Sequence, residues 1–293
     1  MGETITQDWI ARQREYNYHR TPDRRVQTPE AALTFVEEIG FCHFWPIKGV
    51  ELPNLFHAIA GRMRPVPMKH DDPDMSKCWR WKDEALSERQ WYYGKLLRRR
   101  ATLISLELLP SFYACSETLD DPDDYLDEYR AGMMTVEAKW IYEAILEHGP
   151  LDTIRLRRLS RMSARSAKSR FDRALVELQL GLKALPIGVA RTGAWRYAFT
   201  YEILPRHFPE LPEQACGIRR SQAQRTLVAR YLDNVVATDR KMIARVFHVL
   251  GWTSSELEKT IGALLNEGLV QEMAVSGPGH PQLVSTCALE QAL

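Results

Sequence analysis

A chain of 293 residues, 45% hydrophobic and 26% charged, can bury several small cores, and its eight Trp and eleven Tyr exclude a disordered polyelectrolyte. A formal net charge of +1 excludes a uniformly basic polyanion binder, so a nucleic-acid surface has to come from local segregation of charge. Cys42, Cys78, Cys115, Cys216 and Cys287 are odd in number, widely spaced and free of CxxC pairs. That spacing suits neither a disulfide framework nor a structural zinc site, and reduced thiols are expected.

Segment 1–20 is polar and has no apolar stretch of signal-peptide length, and nowhere does the chain approach the roughly 20 apolar residues that cross a bilayer. The expected location is cytoplasmic, with no membrane partner. A short helix is expected over 8–16 and a second over 29–39, where Thr28 supplies a capping hydroxyl and Pro29 a first-turn proline. Segment 62–77, rich in Pro, Met and Asp, reads as a loop, and 88–108 as a long helix that stops before Pro110. Segment 117–128 holds seven acidic residues and no basic one, and reads as a solvated connector or helix start at a unit boundary.

The stretch from about 135 to 203 has the clearest logic. It predicts helices over 136–148, 153–159 and 164–180, the last capped by Ser163 and ended by Gly181. Strands follow at 182–189 and 195–201 around Arg191-Thr192-Gly193. Three helices and a β-hairpin make a winged helix-turn-helix. The pattern recurs with helices over 221–236, 239–249 and 254–266, strands at 269–275 and 282–286, and a wing tip at 276–281. Leu178-Gln179-Leu180-Gly181-Leu182 parallels Leu265-Asn266-Glu267-Gly268-Leu269, and Phe35 to Phe41 offers a looser copy through Gly40. The predicted fold is mainly α with short β-hairpin wings, built from tandem winged helix-turn-helix units. The expected units are 1–130 with a long helical extension, 131–210 and 211–293.

Segment 155–173 holds eight Lys or Arg against one Asp. Arg155, Arg157, Arg158 and Arg161 precede the third helix of the middle unit, and Arg165, Lys168 and Arg170 lie within it among Ser163, Ser166 and Ser169. In a helix-turn-helix that helix enters the major groove, where arginine neutralises phosphate or bonds guanine. A solvated basic face, or a dock for the acidic segment, is the plainer alternative. Lys95 and Arg98-Arg99-Arg100 form a second basic cluster, placed on the predicted 88–108 helix, and Arg191 lies at the wing turn.

Trp79-Arg80-Trp81-Lys82-Asp83-Glu84 alternates aromatics with cations before two carboxylates. Trp79 and Trp81 could stack on bases with Arg80 and Lys82 on phosphates, and Asp83 could act as a base; the alternative is core tryptophans with charges at the rim. No Gly-rich phosphate loop, HExxH or nucleophile elbow is present. His57, His70, His207, His248 and His280 are scattered, so neither a metal site nor a cofactor is predicted.

Gly40-Phe41-Cys42-His43-Phe44-Trp45-Pro46-Ile47 after helix 29–39 resembles the glycine, apolar pair, Gln-Φ-Gln or Gln-Φ-Asp, proline segment of the AlkZ/YcaQ family of bacterial winged-helix DNA glycosylases, in its AlkZ-related branch. Segment 92–110, the basic unit at 136–203 and the Leu-x-x-x-Gly pattern at 265–269 are similar to later parts of that family. The resemblance implies double-stranded, damaged DNA as partner and N-glycosidic hydrolysis linked to alkylation or crosslink repair. The positions matching the family's catalytic pair are His43 and Trp45, and tryptophan offers an N–H donor but no acceptor. Residues two apart on a strand share a side, so both would face one pocket. Three readings remain at this point: a DNA-binding relative with catalysis altered or absent, an active glycosylase using other groups such as His43 or Asp83, and a winged-helix regulator or scaffold.

Overall fold

A computed structural model describes residues 5–68, 71–116, 124–192, 197–276 and 281–290. The chain opens with α1 (Gln7–Asn17) and α2 (Pro29–Ile39), whose starts are fixed by Thr6 and Thr28 accepting from the Trp9 and Ala31 amides. Strand β1 (Phe41–His43) then leads to α3 (Leu55–Ala60), α4 (Pro73–Ser87), β2 (Tyr92–Lys95), β3 (Ala101–Ile104), α5 (Leu109–Ala114) and α6 (Asp124–Arg130).

Next come α7 (Val136–His148), β4 (Leu151–Asp152), α8 (Thr153–Leu159), α9 (Lys168–Leu180), β5 (Ala184–Ala190) and β6 (Ala198–Ile203). The remainder is α10 (Leu204–His207), α11 (Leu211–Cys216), α12 (Arg220–Val235), β7 (Ala237–Thr238), α13 (Arg240–Phe247), α14 (Ser254–Asn266), β8 (Val270–Met273), β9 (Gln282–Ser285) and α15 (Thr286–Glu290). The protein is therefore mainly α with short β elements. No described helix is long and apolar enough to cross a membrane.

Three small antiparallel sheets share one strand order. In each, the last strand in sequence lies between the other two: β1-β3-β2, β4-β6-β5 and β7-β9-β8. The first sheet is buried on both faces. Phe41, Ile104 and Tyr92 form one row across it, and the next row is Cys42, Leu103 and Tyr93. Because side chains alternate along a strand, the first row packs into a core shared with α12, α13 and α14, and the second into the core under α2, α3 and α4. The middle sheet closes a separate core with α7, α8 and α9.

Several expectations are corrected. Segment 88–108 is not a helix but the β2–β3 hairpin, because aromatic Tyr92 and Tyr93 and the Thr102-Leu103-Ile104 run fit a pleated buried surface and find β1 as third strand. The loop expected at 62–77 gives way to α4 at Pro73, where the Asp72 carboxylate accepts from the Met75 amide. Ser163 does not cap the third helix of the middle segment: a 3₁₀ turn over Arg165–Ala167 precedes α9. Strand β6 begins at Ala198, while Trp195 and most of the expected tip at 276–281 lie outside the described residues, as do residues 117–123 of the acidic segment, His70 and His280. Cys42, Cys78 and Cys115 are buried, whereas Cys216 and Cys287 are exposed.

Gly40 ends α2 at φ +77°, and a Cβ there would overlap the buried Leu108 side chain. Gly40→Ala is therefore expected to cost about 2 kcal/mol or more through strain and overlap. A urea titration followed by tryptophan fluorescence checks this, and an unchanged midpoint would contradict the packing described.

Candidate nucleic-acid interface

The two basic clusters that are remote in sequence meet in space. Lys95 and Arg99 from the β2–β3 hairpin line one groove with Arg165, Lys168, Arg170 and Arg173. Six cations thus face three carboxylates there, those of Glu137, Asp172 and Glu177. Two of the cations are engaged, Lys168 with Asp172 and Arg170 with Glu137 at 3.3 Å. Glu177 is occupied at the start of α7, accepting from the Thr135 amide and hydroxyl, both at 2.7 Å. Lys95, Arg99, Arg165 and Arg173 have no carboxylate partner among the described residues. Ser166 and Ser169 add hydroxyls to the same wall.

The hairpin is held against α9 by one buried amide. Gln179 Oε1 accepts from the Lys95 backbone N–H at 2.8 Å, while its Nε2 donates to the Leu175 carbonyl at 2.9 Å. At the turn, Arg98 and Arg99 sit at φ +56° and +55°, a left-handed conformation uncommon for arginine. Arg98 donates to the Arg245 carbonyl at 3.3 Å, and Arg99 goes to the groove. These arginines therefore lie on a hairpin tip and not on the helix expected from sequence.

Beside the groove is a second arrangement, centred on Lys82. Its side chain is fully buried and its Nζ lies 4.5 Å from the Phe199 ring centroid, 4.9 Å from Trp79, 5.0 Å from Tyr93 and 5.6 Å from Tyr197. Phe44 closes the box at 6.0 Å. Nζ donates to Asp83 Oδ1 and, at 2.9 Å, to the Tyr197 hydroxyl, which itself donates to Asp83 Oδ1 at 3.1 Å. Burial pushes the amine below the usual lysine range, opposed by the charge and hydrogen bond of Asp83. Burial and then Asp83 push the Tyr197 phenol upward. Tyr93 of the box and Lys95 of the groove are two apart on β2 and so share a face, with about 7 Å of strand between them.

Around the box, Trp45 packs on Phe56 and Trp79, with centroids 5.3 and 6.1 Å away. Trp79 also meets Tyr197 edge-on at 6.0 Å. Helical geometry divides the alternating segment on α4 in a way the sequence order hides. Trp79 and Lys82, three apart, face the box. Trp81, 2% exposed, points into the core, and Arg80 points outward, 3.9 Å from Glu84. Neither Trp81 nor Lys82 is thus a surface contact.

His43 does not join Trp45. Strand β1 ends at His43, so the alternation that would align them stops there. His43 is 1% exposed, shares the Phe41 face of the sheet, and makes no hydrogen bond through its ring among the described residues. Burial lowers its pKa to about 4, with Arg98 and Arg100 acting in the same direction. The Ala101 backbone opposes burial by favouring the charged form, and does so more than either arginine disfavours it. Asp83, on α4, makes no hydrogen bond or ion pair with it among the described residues.

Arg161 lines a separate hollow with Trp140, Glu143 and His148, and Arg191 lies exposed just past β5. Sequence reasoning did not single out Arg173, Gln179, Tyr93, Tyr197 or Phe199. The alternation of Tyr197, Phe199 and Tyr201 marked a strand but not the helix it would cover. Among the described residues no group of three or more His, Cys, Asp or Glu could hold a metal ion.

The structure is similar to that of Streptomyces sahachiroi DNA glycosylase AlkZ, with a TM-score of 0.62 and 13% sequence identity over 99% of this chain and 72% of that one. At that identity the likeness concerns the fold. No curated protein sequence matches the chain. The sequence model described as AlkZ related matches residues 26–248, a span that contains both the basic groove and the Lys82 box. This chain belongs to the AlkZ-related family.

Proposed function

We infer that the protein binds duplex DNA along the groove between the β2–β3 hairpin and α9, as a DNA-repair relative of the alkylation and crosslink glycosylases in which the positions His43 and Trp45 perform no glycosylase chemistry. The observation that carries this reading is the convergence of Lys95, Arg99, Arg165, Lys168, Arg170 and Arg173 on one surface, four of them without a carboxylate partner. Segments 1–130, 131–210 and 211–293 are read as three winged-helix units, supported by the strand order their sheets share. The middle unit supplies the reading helix. Its counterpart in the last unit, α14, carries Glu256 and Glu258 with one Lys259, a poor match for phosphate. The expected setting is cytoplasmic.

The family-matched pair supports binding more than catalysis. A histidine buried at 1% exposure cannot position water on a sugar, and Trp45 offers a ring face and an N–H but no acceptor. Trp45 and Trp79 instead present a partly buried aromatic pair suited to stacking on an unpaired base.

Fluorescence anisotropy across several salt concentrations tests the reading, using undamaged, N-alkylated and abasic duplexes. The triple replacement Arg99→Ala, Arg165→Ala and Arg173→Ala is expected to weaken binding to all three alike. It should reduce the slope of log K against log salt by about 2 to 3, since each lost phosphate contact removes roughly 0.9. Heating the N-alkylated complex in alkali is expected to reveal no base loss attributable to the protein. Binding that ignores salt, or its absence at low salt, would end the DNA reading; base loss abolished by His43→Ala would restore the family pair as catalysts.

A further inference from the structure

We propose that Lys82 is the nucleophile of an abasic-site lyase activity, with Asp83 as the base that completes the strand break. The proposal rests on the duplex-binding reading of the adjacent groove, and draws on features that reading leaves unused. A lysine amine is enclosed by Phe44, Trp79, Tyr93, Tyr197 and Phe199 and touches a carboxylate and a phenol. Enclosure in apolar surroundings is the general means by which a lysine becomes a competent amine near neutral pH. Both hydrogen-bond partners of the amine reach the surface: the Asp83 side chain is 26% exposed and Tyr197 is 39% exposed.

The substrate class follows from the chemistry. A primary amine beside a carboxylate suits an aldehyde, and a duplex that has lost a base presents one at C1′ of the open-chain deoxyribose. A phosphate held near Lys95 and Arg99 would bring the neighbouring sugar toward Tyr93 and the box, two residues along β2. To admit it, the Tyr197 side chain must turn off the amine.

The steps balance with water alone. The Lys82 ammonium releases its proton through Asp83 to solvent, and Nζ attacks C1′, forming a C–N bond while the carbonyl oxygen takes up a proton. The carbinolamine loses water and becomes an iminium. The Asp83 carboxylate then removes the C2′ proton, and that electron pair forms the C2′–C3′ double bond as the C3′–O bond breaks. The departing phosphate becomes the 5′ end of the downstream strand. Water finally hydrolyses the imine, returning the amine and leaving an unsaturated aldehyde on the upstream strand. Reactions that remove a base from DNA supply this substrate.

The test is reductive trapping of the full chain on an abasic duplex with cyanoborohydride, with peptide mapping of the adduct. The expected result is a covalent complex mapped to Lys82, lost in Lys82→Met, and formed several-fold faster in Tyr197→Ala, whose amine is uncovered. Asp83→Asn should slow trapping, since it removes the carboxylate that takes the Lys82 proton, and should slow strand cleavage further, since the same carboxylate removes the C2′ proton. An adduct mapped to another lysine overturns the proposal. So does the absence of an adduct when anisotropy shows the abasic duplex bound, an outcome that leaves the DNA reading intact. Should Lys82→Met fail to fold, the mapped site and the Tyr197→Ala acceleration still decide the matter.

Discussion

Lys82→Ala is expected to lower the stability of the protein by about 3–5 kcal/mol, while Lys82→Met costs about 1 kcal/mol. The four-carbon stem and amine of Lys82 fill the space between five rings: Trp79 of α4, Tyr93 of β2, Phe199 of β6, Tyr197 just before β6 and Phe44 just after β1. Truncation opens a cavity that the rings cannot close without leaving their own packing, which is the costly form of a large-to-small change. Methionine restores volume and contacts the rings through sulfur, and loses only the bonds to Asp83 and Tyr197. Asp83 reaches solvent and can be rehydrated when its partner is gone, so the unpaired carboxylate adds little. Urea unfolding followed through tryptophan emission measures both variants. Equal losses for Ala and Met would mean that the charge, and not the packing, holds the box together.

Acid is expected to unfold the protein earlier than carboxylate protonation alone would. His43 and His207 are both buried, and burial lowers each pKa to about 4, with Arg98 and Arg100 assisting at His43 and Arg89 at His207. In the unfolded chain each regains an ordinary histidine value near 6.5. Between about pH 6.5 and 4 the unfolded chain therefore binds protons that the folded chain refuses. The stabilising contribution is complete above pH 6.5 and is lost as pH falls toward 4, about 3 kcal/mol for each histidine. His43→Leu is expected to remove about half of that pH dependence and to leave stability at pH 7.5 close to that of the parent. Urea midpoints at pH 7.5, 6.0, 5.0 and 4.5 give the comparison. Parallel curves for parent and variant would show that His43 titrates in the folded protein much as it does in the unfolded one.

The segments legible in the sequence are those with local punctuation. Thr28-Pro29, Thr135, Asp152 and the Thr253–Glu256 capping box mark helix starts through contacts within three residues, and the helices over 29–39, 136–148, 153–159 and 254–266 have the bounds expected. The hairpin over 92–104 was illegible because its Leu, Arg and Ala content suits a helix, and what makes it a hairpin is a partner strand some 60 residues upstream. The basic wall of α9 could be read from charge, but its partnership with Lys95 and Arg99 depends on that same hairpin. The box around Lys82 was the least accessible feature. Trp-Arg-Trp-Lys reads as two alternating classes, yet on a helix three of the four point to different sides, and the ring that seals the amine comes 115 residues later.

The side-chain amide of Gln179 ties the two walls of the groove together. Its oxygen anchors the hairpin and its nitrogen anchors to α9, so the two basic walls cannot separate without breaking a buried hydrogen bond on one side or the other. They act as the jaws of a caliper. Opening the walls costs that hydrogen bond, so a duplex whose phosphates do not match the span is expected to take up part of the adjustment, at an energy set by how easily its base steps bend or its grooves narrow. On the DNA-binding reading proposed above, the groove would therefore sort duplexes by stiffness, with no side chain needing to read the base itself.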